Sequence, residues 1–186
     1  MGTIAVGDQS EGRIDTDATG LPGATRLEHA CRGLPLIGTG AGVADVIVEI
    51  AGELGELHRE RLVGFGIIDV DQRRRSAIAV IDVLVSAAAP APSLFARLRA
   101  ETVGAVVDRL ASWCALLGDA VPIMLSDKEI DNVRAHVSAL CDSYTDLIDE
   151  LARGLCRLPA AASLTSPPRV ISACHCGGTA LEGTIE

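Results

Sequence analysis

Aliphatic residues recur at three- and four-residue steps through four long stretches of this chain, and glycine and proline clusters separate the stretches. That period fits α-helices with one buried stripe and no other regular structure. The first stretch runs from about Val43 to Val63, with Val43, Val46, Ile47, Ile50, Leu54 and Leu57 as its stripe, and stops at Gly64 and Gly66. The second is capped at Asp69 and buries Val70, Ala77, Ile78, Ile81, Leu84 and Val85 before Pro90 and Pro92. The third opens at Ser93 or, more economically, at Thr102. It aligns Val103, Val106, Val107, Leu110, Trp113, Cys114 and Leu117, and Gly118 and Pro122 close it. The fourth starts with the capping-box pair Ser126 and Glu129 and keeps helical spacing through Leu151 to Leu155. A shorter helix begins at Thr25, paired with Glu28 in the same spacing, and ends near Gly33.

Short connections keep successive helices adjacent, so the expected fold is all-α, an antiparallel four-helix bundle. The core must be built from Leu, Ile, Val and Ala, because aromatics make up only 2% of the 186 residues while 48% are hydrophobic. Residues 1–23 are rich in Gly, Asp, Thr and Ser without a period, and residues 159–186 carry a Pro167-Pro168 pair and a glycine-containing end. Both read as disordered flanks of a bundle over residues 24–158.

A net charge of -9 disfavours nucleic-acid and anionic-membrane partners, which demand clustered positive charge. Lys128 is the single lysine among 16 basic residues, a bias that fits a high-GC genome. The greasiest run is broken by Asp82, Pro90 and Pro92, and no secretory signal opens the chain, so the expected location is cytoplasmic. The six cysteines lack the spacing of a disulfide framework. Cys174-His175-Cys176 is the local cluster of soft ligands, but no second ligand pair follows, and it reads as part of the tail. Gly38, Gly40 and Gly42 precede the first long helix as G-x-G-x-G without the third dinucleotide glycine, and read as a loop. Neither a metal site nor a cofactor signature is expected: the Glu-x-x-His elements of di-metal bundles do not occur.

Charge inside the stripes marks the candidate site. On a helical projection Arg74 falls among Val70, Ala77 and Ile81, and Arg61 lies one turn beyond Leu57 with His58 on the adjoining edge. A guanidinium in such a place must be paired or must line a cavity. With antiparallel helices, His58, Arg61 and Arg74 converge and can bind a carboxylate or phosphate. The bland alternative lets both arginines reach water and pair with Glu60, Asp69 or Asp71. Asp71, Arg75 and Asp82 read as an edge ladder of ion pairs. Opposite the third helix's aliphatic stripe, Gly104, Ala111 and Ala115 form a small-residue face suited to a helix contact or a homodimer seam, with Asp108 paired to Arg75 or Arg109. Glu101 and Asp108 are the candidate general acid/base residues.

Three runs, HRERLV from His58, VDQRRRSAIAVIDVLV from Val70 and RAETVGAVVDRLASW from Arg99, together resemble an actinobacterial branch of the domain-of-unknown-function 4254 family. The likeness covers roughly residues 50–120. Its most specific parts are the IDxxRxxxxxxID-like run from Val70-Asp71 to Ile81-Asp82 and the ET-x-G-x-x-x-DRL run from Glu101 to Leu110. The resemblance implies a cytoplasmic helical bundle and brings no established general activity. Arg99 and Val103 depart from its pattern, where His and Pro are frequent. Part of the first motif is also similar to the opening helix of helical chorismate mutases, which bind a dianion between arginines, without the rest of that pattern. Two functional expectations follow. One is an accessory, self-associating protein of a bacterial specialised-metabolism or envelope-related pathway. The other is a lyase, isomerase or transferase that holds a small anionic metabolite between helix-borne arginines.

Overall fold

The computed structural model describes residues 20–36, 40–64, 67–118 and 125–159. Among the described residues five helices make up the body: α1 (Ala24–Arg32), α2 (Val43–Leu62), α3 (Ile67–Ala88), α4 (Val103–Ala115) and α5 (Asp127–Ala152). Two short strands, β1 (Arg97–Leu98) and β2 (Cys156–Arg157), pair in parallel and tie the α3–α4 connection to the chain leaving α5. The fold is the expected all-α one with this small addition.

Contacts along the first three successive pairs show their directions. Glu60 meets Arg73 and Arg61 meets Asp71, so α2 and α3 are antiparallel. Arg74 meets Asp108 while Asp82 meets Gly104, which makes α3 and α4 antiparallel. Helix α1 instead runs with α2: Arg26 pairs with Asp45, and the Cys31 carbonyl lies against Gly55.

That last contact rotates α2 from its expected orientation. Ala44, Val48, Ala51 and Gly55 turn inward together with Ile47, Leu54 and Leu57, whereas Val43 and Val46 are exposed. The stripe of large aliphatics misleads here because small residues let a crossing backbone approach closely. A Cβ on Gly55 would lie 2.2 Å from the Cys31 oxygen.

Helix ends differ in informative ways. Thr102 and the Ser126–Glu129 pair cap α4 and α5 as their sequences predict, with Ala105 N–H donating to Thr102 Oγ1 at 3.2 Å and Ser126 N–H to Glu129 Oε2 at 2.8 Å. Thr25 and Asp69 do not cap, because their helices begin earlier and both residues lie within the first turn; Gly23 occupies the N-cap of α1. There Asp69 still favours the helix through its charge near the N-terminus. Helix α5 ends before Leu155, because Gly154 takes a left-handed conformation at φ +63° and reverses the chain.

The packed body also starts before residue 24. Leu21 is fully buried, and Tyr144 Oη donates to the Pro22 carbonyl at 2.8 Å from deep in α5. Residues 1–19 and 160–186, with Cys174-His175-Cys176 among them, and Gly38, Gly66 and Pro122 lie outside the described residues. Gly40 and Gly42 do not await a phosphate: their N–H groups donate to Asp45 at 3.0 and 2.9 Å. The Arg26 guanidinium and these two amides hold the Asp45 carboxyl down at about 2.

Asp82 corrects the edge-ladder expectation. It is buried, and its carboxylate accepts the Gly104 N–H at 2.7 Å, acting as a cap for α4 supplied by α3. Burial raises its pKa against the opposing pull of Gly104 N–H and the Thr102 hydroxyl. Gly104 must be small, since a Cβ there would lie 2.4 Å from the Ile78 carbonyl. The small-residue face of α4 is therefore spent inside the monomer, with Ala111 and Ala115 buried, and offers no dimer seam.

Two substitutions test this packing by urea denaturation. Gly55→Ala overfills the α1–α2 crossing and is expected to cost about 1–3 kcal/mol. Asp82→Ala leaves the Gly104 N–H unpaired, for about 1–3 kcal/mol, and Asp82→Asn keeps an acceptor and loses less.

Candidate functional site

Three helices deliver charge to one place. Helix α2 supplies His58 and Arg61 in its last turns, α3 supplies Asp71 and Arg74 in its first turns, and α4 supplies Asp108. The antiparallel α2–α3 turn sets the first four at similar heights, and the α3–α4 register brings Asp108 across to them. Arg74 Nε donates to Asp108 Oδ1 at 2.8 Å and Nη2 to Oδ2 at 2.9 Å, a bidentate fork. Its third nitrogen, Nη1, donates to Asp71 Oδ1 at 3.0 Å. Arg61 Nη1 reaches the same Asp71 oxygen at 3.3 Å.

His58 Nε2 lies 2.9 Å from Asp108 Oδ1. Burial pushes the Asp108 carboxyl up, but the hydrogen bonds and charges of Arg74 and His58 outweigh it and bring it down to about 2. Asp108 is thus a carboxylate at neutral pH, and His58 must donate to it through Nε2–H. In a neutral imidazole the lone pair then falls on Nδ1. The bidentate contact with Asp108 raises the Arg74 pKa in turn.

Above this floor is a cavity of about 630 Å³, walled by His58, Arg61, Leu62, Arg74, Ala105, Asp108, Arg109, Ser112 and Leu116. Three arginines and one aspartate line it, in a chain whose net charge is -9. The arginines differ in freedom. Arg74 is 20% exposed and has a carboxylate at each of its three nitrogens. Arg61 and Arg109 are 49% and 44% exposed, and their acidic partners Asp71 and Glu101 are themselves 33% and 48% exposed.

The structure therefore unites His58, Arg61, Arg74 and Asp108 and sets Glu101 apart. Glu101 accepts both terminal nitrogens of Arg109 at 2.8 Å and borders a different cavity of about 210 Å³ with Arg99, Ser143 and Leu147. Asp108 pairs with Arg74 and His58 rather than with Arg75 or Arg109, because Arg75 lies about 100° around α3 from Arg74 and is exposed, and Arg109 is held by Glu101. An anion held by three donors orients its neighbours and does not serve as a general acid at neutral pH. Arg109 and Ser112 are wall residues that the sequence reading passes over. Ala105, Asp108, Arg109, Ser112 and Leu116 follow helical spacing, so projecting α4 from Asp108 finds them.

The two motif runs meet residue against residue. Arg74 of the first, held by Asp71 of the same run, closes on Asp108 of the second, Asp82 of the first caps Gly104 of the second, and Ile81 and Leu110 are fully buried. Comparison with family models, curated proteins and solved structures finds no match to this chain.

Other chemistry is sparse among the described residues. No group of three or more His, Cys, Asp or Glu side chains could hold a metal ion, and no helix is long and apolar enough to cross a membrane. Cys31 and Cys114 are buried against each other, and that contact, followed by burial, raises the Cys31 pKa well above its ordinary value. Burial pushes Cys141 up to about 12, so neither is an activated thiolate.

The depressed Asp108 pKa fixes the sign of a pH effect. An unfolded Asp titrates near about 4, so the stability that Asp108 contributes is complete above that pH and is lost as pH falls toward 2. In urea titrations between about pH 5 and 2, the wild type should lose stability more steeply than Asp108→Asn, which lacks this proton uptake. Parallel curves would remove Asp108 from the pH response.

Proposed function

We propose that this protein binds a compact anionic metabolite, a carboxylate or phosphate, in the cavity between α2, α3 and α4. The observation that carries the reading is a wall that gathers three arginines and one aspartate in an otherwise acidic protein. Arg74 and Asp108 act as a fixed floor. Arg61 and Arg109 act as movable arms: their present ion pairs are exposed and contribute only about 0.2–1 kcal/mol each, so turning either toward a ligand costs little. Ser112 adds a hydroxyl to the same wall.

The enzyme reading, a lyase, isomerase or transferase, draws support from one further observation. The His58–Asp108 contact orients an imidazole beside the bound anion and selects the tautomer with a basic Nδ1. His58 is then the proton-transfer residue, in place of Glu101 or Asp108. The domain-of-unknown-function 4254 resemblance agrees with both readings, since its motif residues build the floor. The accessory, self-associating reading has lost its α4 seam and rests on other surfaces.

Orthophosphate and malonate are suitable probes. Either should raise the thermal midpoint of the protein, because a ligand bound to the native state stabilises it. By calorimetric titration, Arg61→Ala combined with Arg109→Ala should weaken binding at least about tenfold, a loss of about 1.4 kcal/mol, while leaving the unliganded midpoint nearly unchanged. Equal binding by wild type and variant, or no binding of either probe, contradicts the reading.

A further inference from the structure

Away from the arginine cavity, β1 has a strand partner on one side only among the described residues. The N–H groups of Arg97 and Arg99 donate to the Leu155 and Arg157 carbonyls at 3.1 and 2.9 Å. Strand alternation therefore directs the N–H and C=O of Leu98 to the opposite edge. Natural edges are commonly blunted by charge, proline or a bulge. Here the outward-paired position is Leu98, 68% exposed, preceded by Leu94 and Phe95, each 96% exposed. The register sets Leu98 level with Arg157, and alternation puts the half-exposed Leu155 on the same face.

Charge distinguishes possible occupants of this edge. Residues 93–99 and 149–157 carry Arg97, Arg99, Arg153 and Arg157 against Asp149 and Glu150. Glu150 is shared by Arg97 and Arg99, and Arg157 Nε donates to the Ala96 carbonyl rather than to an acid. The surface is locally basic on a protein of net charge -9. A second copy would present the same basic edge and be repelled, whereas an acidic strand would be attracted.

We propose that β1 is an acceptor edge for an extended, acidic segment of a partner protein. The segment adds as a strand beside Leu98, rests apolar side chains against Leu98 on one face, and sets carboxylates toward Arg97 on the other. Main-chain bonds supply the pairing, and alternate side chains supply the selectivity.

The test uses two fluorescently labelled hexapeptides, one alternating glutamate and valine and one alternating lysine and valine, followed by anisotropy on the full chain. The acidic peptide should bind at least tenfold more tightly. Leu98→Pro deletes the outward N–H without touching the bonds to β2, and should weaken the acidic peptide at least tenfold with the thermal midpoint retained. Arg97→Glu should reverse the preference between the peptides, which keeps the test decisive if the proline variant folds poorly. Equal binding of the two peptides, or an unaltered preference in Arg97→Glu, overturns the proposal. So does a concentration-dependent dimer in light scattering that Leu98→Pro abolishes, because the edge would then belong to a second copy.

Discussion

The carboxylate of Asp108 takes a two-pronged contact from Arg74 on α3 and a hydrogen bond from His58 on α2 while standing on α4. Three helices are thereby fixed at one height. Neither charge could remain in this half-buried position alone, since an unpaired ion loses far more hydration than packing returns. The ion pair also sets what surrounds it. With Arg74 immobilised by Asp71 and Asp108, the cavity above gains a rigid, charge-paired floor, and its mobile positive charge comes from Arg61 and Arg109 at the rim.

A second polar contact between the same two helices acts with the first. Asp82, two turns along α3 from Arg74, caps the start of α4 at Gly104, and the absence of a Cβ there brings the helices close enough for both contacts. If Gly104 were larger, α4 would move off α3, and the fork between Arg74 and Asp108 would open with it. Packing and polar recognition are here one constraint.

Most of the helices were legible in the sequence because a 3.6-residue period extends over many turns and Thr102, Ser126 and Glu129 announce their caps. His58, Arg61 and Arg74 stood out because charge in an aliphatic stripe has few physical explanations. The orientation of α2 was not legible: Gly55 and Ala51 carry no hydrophobic signal, yet a crossing backbone selects them. Asp82 reads from the sequence as one rung of an edge ion-pair ladder because its partner is a backbone N–H distant in sequence, which side-chain pairing rules do not see. Glu101 was misplaced for a similar reason. It precedes the Thr102 cap, and its carboxylate is drawn back along α4 to Arg109 and away from the floor. The β1–β2 pair, two residues in each strand, is too short to produce any alternation.

A double-mutant cycle on Arg74 and Asp108 tests the central claim most directly. Arg74→Met and Asp108→Leu are made singly and together, with unfolding free energies from urea denaturation at pH 7. Each single change strands a charge and should cost about 3 kcal/mol, while the double variant replaces the pair with apolar groups and should cost far less than their sum, a coupling of about 2 kcal/mol or more. Additive losses, with coupling below about 0.5 kcal/mol, would show that the three helices hold their places without this ion pair and would contradict the account.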